Sequence, residues 1–389
     1  MEYGVGNQDE YRCAARTTSD FPGTLSARRT VGLGFHHVEL AMRTLLPALL
    51  LALALPAFAD DAPKVQALGA RLERFGYPYP VTMFPVKNQG QSLEMAYMDL
   101  KPEHPNGRTA VLLHGKNFCG AYWAGTAEHL RKEGYRVVIP DQIGFCKSSK
   151  PHTFQYSFHQ LAANTHDLLA SLGVSKATIV AHSMGGMVGA RYALMYPQDV
   201  EELVLVNPIG LEDWKAKGVP WQSVDQWYAR DLKTSYAGIR QYQLAHYYDG
   251  RWKPEYDRWA LMQAGQYEGD GKEISAWAGA LTYDMVFTQP VVYEFPQIKV
   301  PTVLIIGQRD TTAIADGAPP DVKAKLGNYP ELGKEAAARI PGARLIPLDG
   351  LAHSPMIEAP ERFYKALDEA LLLRERDLAL HGADHVTHR

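Results

Sequence analysis

Five short apolar segments constrain the fold of this chain more than any other feature of its sequence. Starting at residues 109, 135, 177, 203 and 301, they read TAVLLH, YRVVIP, ATIVAH, LVLVN and PTVLIIG. Strands with nearly continuous apolar sequence are typical of parallel sheets that helices bury on both faces. Helical segments, such as Ala121–Glu133 and Ser157–Leu172, alternate with these runs. The alternation predicts an α/β fold with a mostly parallel central sheet covered by helices.

The sequence before these runs predicts one edge of the sheet. Val81–Val86 and Leu93–Leu100 alternate apolar and polar residues, which favours an antiparallel pair of half-buried strands. We expect a short helix over Lys64–Phe75, ahead of the first strand.

The alternation of strands and helices stops at Asn207. Residues 208–298 contain no clear strand and carry six of the seven tryptophans. Helices are expected within them at 224–231, 238–248, 255–266 and 274–281. We therefore predict that residues 208–298, called the cap below, form a helical insertion after the sixth strand. The cap would separate two core segments, 60–207 and 299–375, and residues 376–389 would form a flexible tail.

The N-terminal region has the arrangement of a secretory signal peptide. Arg43 precedes the apolar run Leu45–Phe58, which ends in an A-x-A cleavage pattern closed by Ala59. The run is shorter than the roughly 20 residues of a membrane-spanning helix. We expect residues 42–59 to be removed and residues 1–41 to be a non-structural extension. The protein would then be periplasmic or secreted, without stable membrane insertion; a buried N-terminal helix and a twin-arginine signal are the alternatives.

The segment IVAHSMGGM carries the strongest chemical signal in the chain. It follows an apolar strand and opens a helix, the context of a nucleophile elbow. Small residues at Ala181 and Gly185 allow the strand and helix to approach closely at the turn. The turn would lift Ser183 above the sheet, near the positive end of the helix. Ser183 is therefore the candidate nucleophile, and it needs a base to take its proton.

Two later residues complete a candidate triad. His353 follows the last predicted strand, and Asp310 follows the strand that ends at Gly307. The order Ser, Asp, His and the position of each at the carboxyl end of a strand favour an acyl-transfer site. Glu212 or Asp213, after the sixth strand, is the alternative acid.

The loop HGKNFCGAYW, residues 114–123, is expected beside the elbow. Acyl transfer needs two N–H donors for the developing oxyanion. The backbone N–H groups of Lys116 and Met184 are the candidates, and Asn117 either assists or caps the following helix. We interpret His114 as a structural hydrogen-bonding residue.

These motifs resemble those of the α/β-hydrolase superfamily, specifically capped serine hydrolases with an H-G-x-x oxyanion loop and an S-M-G-G elbow. The resemblance covers roughly residues 77–373. It implies Ser183 as nucleophile, His353 as base, Asp310 as acid, and Lys116 and Met184 as oxyanion donors. The segment 141–151 also matches a D-x-x-G-x-G-x-S loop of the family, which implies a loop-fixing role for its aspartate.

The match departs at Cys146, where the family usually has glycine. In an exported protein only Cys119 and Cys146 would remain of the three cysteines, and an even pair in an oxidising compartment predicts a disulfide. The alternative is two unpaired small hydrophobic residues. His182, inside the elbow, is expected to give packing or polar support.

Composition limits the partners. The net charge of −3 does not indicate a nucleic acid partner, and the sequence has no metal-binding or cofactor motif.

Taken together, the motifs predict an exported serine hydrolase that cleaves a small-to-medium apolar or aromatic carboxylic ester. The sequence does not indicate its oligomeric state. A carbon–carbon bond hydrolase, a perhydrolase and a non-catalytic binding protein on the same fold are the alternatives.

Overall fold

A computed structural model of the chain describes residues 63–371. The predicted N-terminal extension (1–41), signal peptide (42–59) and flexible tail (376–389) lie outside the described residues.

Eight strands form one sheet in the order β1-β2-β4-β3-β5-β6-β7-β8. They are β1 Thr82–Asn88, β2 Gln91–Leu100, β3 Thr109–Leu113, β4 Arg136–Pro140, β5 Ala177–His182, β6 Val200–Val206, β7 Thr302–Gly307 and β8 Arg344–Leu348. β2 pairs antiparallel with β1 and β4, and the remaining neighbours are parallel. The predicted α/β fold with a mostly parallel sheet is therefore confirmed, as is the antiparallel opening pair.

The helices alternate with the strands of the core and then accumulate between β6 and β7. They are α1 Ala124–Lys132, α2 Phe158–Ser171, α3 Met184–Met195, α4 Val224–Asp231, α5 Tyr236–His246, α6 Asp257–Gly265, α7 Lys272–Thr288, α8 Pro320–Lys323, α9 Tyr329–Arg339 and α10 Pro355–Glu358. A last helix covers residues 360–371. No helix within residues 63–371 is long and apolar enough to cross a membrane.

The apolar runs form strands because they are buried from both sides. Every residue of β5 and of β7 is buried, so a polar side chain at any of these positions would lose its contact with water. The register of strand pairing places Leu113 of β3 beside Ala181 of β5, and Val206 of β6 beside Ile305 of β7. The carboxyl ends of these four strands therefore lie along one edge of the sheet, where the loops of the site emerge.

The cap contains α4–α7, close to the positions expected from the sequence. α4 begins after a capping box, in which Ser223 and Gln226 bond each other's backbone N–H groups. α5 begins two residues earlier than expected because the Ser235 side chain caps it. α7 runs seven residues further than expected, to Thr288, and its buried residues lie against the core.

The predicted helix over Lys64–Phe75 is wrong, since this stretch consists of turns and irregular backbone. Gly69 and Leu72 have positive φ values of 79° and 50°, which a right-handed helix excludes. Leu68 donates its backbone N–H to the Gly265 carbonyl oxygen at 2.8 Å. Leu68 and Leu72 are nevertheless buried, so the apolar residues serve tertiary packing rather than a helix.

Candidate active site

Ser183 occupies a sharp turn between β5 and α3, with φ 58° and ψ −125°. A non-glycine residue adopts such a backbone only when its surroundings enforce it. A Cβ at Gly185 would lie 2.5 Å from the Leu113 carbonyl oxygen, and one at Gly115 would lie 2.9 Å from the Ser183 Cβ. Glycine is required at both positions, because the elbow and the loop after β3 are in direct contact.

The structure brings Ser183, His353 and Asp310 together in one hydrogen-bonded chain. The Ser183 hydroxyl lies 2.9 Å from His353 Nε2, and His353 Nδ1 lies 2.7 Å from Asp310 Oδ2. A carboxylate only accepts, so Nδ1 donates a proton to Asp310 and Nε2 is the ring atom that faces the Ser183 hydroxyl. All three residues are buried, with Ser183 5% exposed.

Two neutral donors hold the Asp310 carboxylate in place. Asn207 Nδ2 donates to Oδ2 at 2.8 Å, and the Thr312 backbone N–H donates to Oδ1 at 2.8 Å. Asn207 is fixed in turn by the Gly307 backbone N–H, which donates to its side-chain oxygen at 3.0 Å. The carboxylate is therefore oriented toward His353 before any ligand is present.

The alternative acids are engaged elsewhere. Glu212 accepts from Lys217 Nζ at 2.7 Å and from the Gly327 backbone N–H at 2.9 Å. Asp213 accepts from the Tyr293 hydroxyl at 2.9 Å. Neither forms a hydrogen bond with His353, whereas Asp310 does.

His182 supports the site, as expected from its place inside the elbow. Its Nε2 lies 2.8 Å from the His353 carbonyl oxygen and its Nδ1 lies 2.9 Å from the Tyr122 hydroxyl. The carbonyl can only accept, so Nε2 carries the proton and Nδ1 accepts from Tyr122. Burial holds the pKa of His182 well below its ordinary value, with the nearby His353 lowering it further, and the ring is neutral.

His114 and Asp141 fix the loops around the elbow, in agreement with the prediction. His114 Nδ1 donates to the Gly115 carbonyl oxygen at 2.8 Å, and its Nε2 accepts from the Gln142 backbone N–H at 2.9 Å. Asp141 accepts from the Gly120 backbone N–H at 2.8 Å and from the Tyr77 hydroxyl at 2.6 Å.

One cluster among residues 63–371 has the spacing of metal ligands, namely His114, Asp141 and Cys146. The ring nitrogens of His114 and the carboxylate of Asp141 already have the partners given above. The Cys146 thiol donates to the Phe118 carbonyl oxygen at 3.2 Å. A metal would have to displace all of these bonds, so the cluster is a loop-fixing network.

The predicted disulfide is wrong, because Cys119 and Cys146 are both free, buried thiols. The Cys146 thiol is directed at the Phe118 carbonyl oxygen. Burial raises its pKa well above the ordinary value, and the neighbouring Cys119 thiol adds to the effect. The protonated thiol is the unreactive form, so the second interpretation, two small hydrophobic residues, fits the structure.

The two residues predicted to supply the oxyanion donors, Lys116 and Met184, each adjoin a residue of the elbow contact. Met184 is the first residue of α3 and directly follows Ser183. Lys116 follows Gly115, whose position is within contact distance of Ser183. Asn117 caps no helix, since the helical turn at Gly120 begins without a side-chain cap; its Nδ2 donates instead to the Tyr247 hydroxyl at 2.8 Å.

A cavity of about 420 Å³ opens between Ser183 and the cap. Its lining is aromatic but more polar than the sequence suggested. It includes four tyrosines together with charged residues: Tyr242, Tyr247, Tyr267, Tyr283, Lys116, Arg230, Asp231 and Asp316. Apart from Lys116, these residues were not predicted individually from the sequence, because tyrosines spread over a helical segment form no motif.

The charges of the cavity are largely paired. Arg230 lies 2.8 Å from Asp231 and 3.3 Å from Asp316, and its guanidinium carbon is 4.0 Å from the centre of the Tyr283 ring. Burial lowers the pKa of Lys116 to about 7, with Asp231 opposing and Arg230 reinforcing the shift. Lys116 donates to a carbonyl oxygen and a hydroxyl oxygen rather than to a carboxylate.

Comparison with known proteins agrees with this architecture. The sequence profile described as "alpha/beta hydrolase fold" matches residues 110–338. A crystal structure of a probable hydrolytic enzyme from Pseudomonas aeruginosa PAO1 superposes with a TM-score of 0.78 at 60% identity, covering 79% of this chain and 99% of that one.

Two curated relatives differ in activity. Lipase 1 of Psychrobacter immobilis is 28% identical over 281 residues, covering 69% of this chain and 80% of that protein. A cis-3-alkyl-4-alkyloxetan-2-one decarboxylase of Xanthomonas campestris pv. campestris is 28% identical over 161 residues, covering 38% of this chain and 53% of that protein.

Proposed function

The chain belongs to the alpha/beta hydrolase fold family, and from this premise we propose that it is a serine hydrolase that cleaves carboxylic esters through an acyl-enzyme on Ser183. The observation that carries the proposal is the unbroken chain from Ser183 through His353 to Asp310, at 2.9 and 2.7 Å, at the edge of a cavity. A binding protein on this fold would not need a buried carboxylate aligned with a base and a nucleophile.

The proposed reaction has two halves. His353 Nε2 takes the hydroxyl proton as Ser183 Oγ attacks the ester carbonyl carbon, and the imidazolium then gives this proton to the leaving alcohol oxygen. A water molecule next loses a proton to His353 and attacks the acyl-enzyme, which releases the acid and restores Ser183. Asp310 stabilises the imidazolium in both halves.

The tetrahedral intermediates would be stabilised by the N–H groups of Lys116 and Met184. The Met184 N–H is among the unpaired donors at the start of α3, where the helix dipole also favours negative charge. Loss of one such donor typically lowers kcat by about 10²–10³-fold.

The lining of the cavity revises the proposed substrate. Four tyrosines and a paired arginine favour an ester with an aromatic or small acyl group that also carries polar substituents. We expect acetyl, butyryl and benzoyl esters of p-nitrophenol to be hydrolysed faster than the palmitoyl ester, because a long apolar chain would have to lie against the charged and tyrosine side chains of the cavity.

Labelling by a fluorophosphonate tests the nucleophile. We expect the folded protein to be labelled once, Ser183→Ala to abolish labelling and ester hydrolysis, and Asp310→Asn to lower kcat by about 10⁴-fold. Asp213→Asn is the matched control and should leave kcat unchanged. An unlabelled wild type would favour a binding protein, whereas labelling without turnover of any ester would favour carbon–carbon cleavage or perhydrolysis.

We also propose that the protein is exported. The proposal is supported by the basic residue, apolar run and A-x-A pattern within residues 42–59. N-terminal sequencing of the protein from a periplasmic fraction should start at Asp60. A cytosolic protein that retains residues 42–59 would refute export without affecting the proposed chemistry.

A further inference from the structure

Two neighbouring side chains of the loop after β3 leave the core and bond the cap. Lys116 Nζ donates to the Gly279 carbonyl oxygen at 3.1 Å and to Thr282 Oγ1 at 3.0 Å, both in α7. Asn117 Nδ2 donates at 2.8 Å to the hydroxyl of Tyr247, the residue that directly follows α5. The loop is therefore held by two separate elements of the cap, each more than a hundred residues away in sequence.

The surroundings of the Lys116 amine suit hydrogen bonds between the loop and the cap better than they suit a free cation. Its Nζ lies 3.9 Å from the centre of the Tyr283 ring, an arrangement that favours a cation. The charged groups that face it are Asp231 and Arg230 of α4, and burial lowers its pKa. Even the neutral amine retains two N–H donors, which match the two oxygen acceptors of α7.

The other side of the same loop is anchored in the core. The ring of His114 bonds the Gln142 backbone, and Gly115 packs against Ser183. The free thiols give the loop no covalent anchor. The backbone N–H of Lys116, which must point at the oxyanion, thus lies between a core anchor and a cap anchor.

The position of the Lys116 N–H is expected to have a large effect on the catalytic rate. A displacement of about 1 Å in a catalytic group can lower the rate about 100-fold. Without the cap anchor the two residues after Gly115 have no side-chain hydrogen bonds to the core among those found in residues 63–371. The core would then hold the Lys116 N–H only through neighbouring residues, through His114 and Gly115 before it and through Phe118 and Gly120 after it.

We propose that the cap forms part of the oxyanion hole, with Lys116 and Asn117 as positioning residues whose side chains set the Lys116 N–H against the tetrahedral intermediate. This inference rests on the proposed ester hydrolysis. It makes the cap necessary for the chemical step as well as for substrate binding, because the hole is complete only while α7 and Tyr247 are seated on the loop.

The test uses two variants that approximately preserve side-chain shape. One removes the hydrogen bonds between the loop and α7, and the other removes the hydrogen bond between the loop and Tyr247. Lys116→Met deletes both bonds to α7, and Tyr247→Phe deletes the acceptor of Asn117 but keeps the ring that lies 4.6 Å from His353. Lys132→Met, on the exposed surface of α1, is the matched control. For each protein we would measure kcat and KM on p-nitrophenyl butyrate, the thermal midpoint, and the Ki of a trifluoromethyl ketone.

The ketone reports the oxyanion hole directly. Ser183 Oγ adds to its carbonyl carbon, the hydroxyl proton passes to His353, and the carbonyl oxygen becomes an oxyanion in the hole. Lys116→Met should lower kcat by about 10–100-fold and raise Ki by a similar factor, with KM within about twofold of wild type. Tyr247→Phe should have the same pattern with a smaller effect of about 3–10-fold, and Lys132→Met should change nothing.

Several results would overturn the inference while leaving ester hydrolysis intact. If Lys116→Met raises KM with unchanged kcat, the amine binds substrate and does not position the loop. If both variants keep the wild-type kcat and Ki, the hydrogen bonds between the loop and the cap are dispensable. If Lys116→Met fails to fold, Thr282→Val combined with Tyr247→Phe tests the same hydrogen bonds. An inactive, unlabelled wild type would instead refute the proposed function.

Discussion

Gly185→Ala is the substitution whose effect follows most directly from the geometry of the elbow. The new Cβ would lie 2.5 Å from the Leu113 carbonyl oxygen and 2.8 Å from that of His114. Both are backbone atoms and cannot rotate away. To reach the ordinary contact distance of 3.4 Å, α3 and the end of β3 must separate by about 0.9 Å.

This separation acts on two parts of the site at once. α3 carries Ser183 and the Met184 N–H, and the end of β3 leads into the oxyanion loop. A shift of about 1 Å can cost about 100-fold in rate, and overpacking of this kind usually destabilises by about 1–3 kcal/mol. We therefore expect kcat to fall by about 100-fold and the thermal midpoint to decrease.

The assay is hydrolysis of p-nitrophenyl butyrate, with thermal denaturation of the same samples. Gly76→Ala is the control, because a Cβ there meets no atom within 4 Å, and it should keep the wild-type kcat and midpoint. A Gly185→Ala enzyme with wild-type kcat would refute the argument that contact with the Leu113 and His114 backbone positions the nucleophile.

Three further predictions concern groups around the triad. Asn207→Ala removes a donor to Asp310 and the acceptor of the Gly307 N–H; we expect kcat to fall about 10-fold, and an unchanged kcat would show that the Thr312 N–H alone suffices. Burial lowers the pKa of Lys116 from 10.5 to about 7, so between these values the unfolded chain binds a proton that the folded chain has lost, and folding stability gains with rising pH. Urea titrations from pH 7 to 10 should show the unfolding free energy of wild type rising relative to Lys116→Met, and parallel curves would contradict the shift. Because the cysteines are free, protein lacking residues 1–59 should take up two alkyl groups in denaturant whether or not a reductant is added; a need for reductant would show a disulfide.

The apolar runs predicted the sheet correctly because burial on both faces leaves few polar positions in a strand; those of β5 and β7 are Thr178, His182 and Thr302. ATIVAH and PTVLIIG became β5 and β7, with every strand residue buried. The positions of Ser183, Asp310 and His353 followed from the same pattern, since parallel strands bring their carboxyl ends to one edge.

The errors have a common physical origin in contacts between distant parts of the chain. Lys64–Phe75 contains apolar residues because Leu68 and Leu72 pack into the core, and positive φ values prevent the helix that was expected. The bond between Asn117 and Tyr247 spans 130 residues and follows no motif. The sequence correctly indicated that the two cysteine loops are close, but proximity alone does not make two buried thiols form a disulfide.

The ring of His182 connects the nucleophile elbow to the oxyanion loop and to the residue that acts as the base. This ring links the Tyr122 hydroxyl, within the oxyanion loop, to the backbone carbonyl oxygen of His353. Its lowered pKa keeps one donor and one acceptor in place under mildly acidic conditions that would charge an exposed imidazole. The elbow, the base and the loop are therefore joined through one ring. Engineering that exchanges the cap for a new substrate can therefore leave the alignment of base and nucleophile intact, provided that the ring at residue 182 is kept.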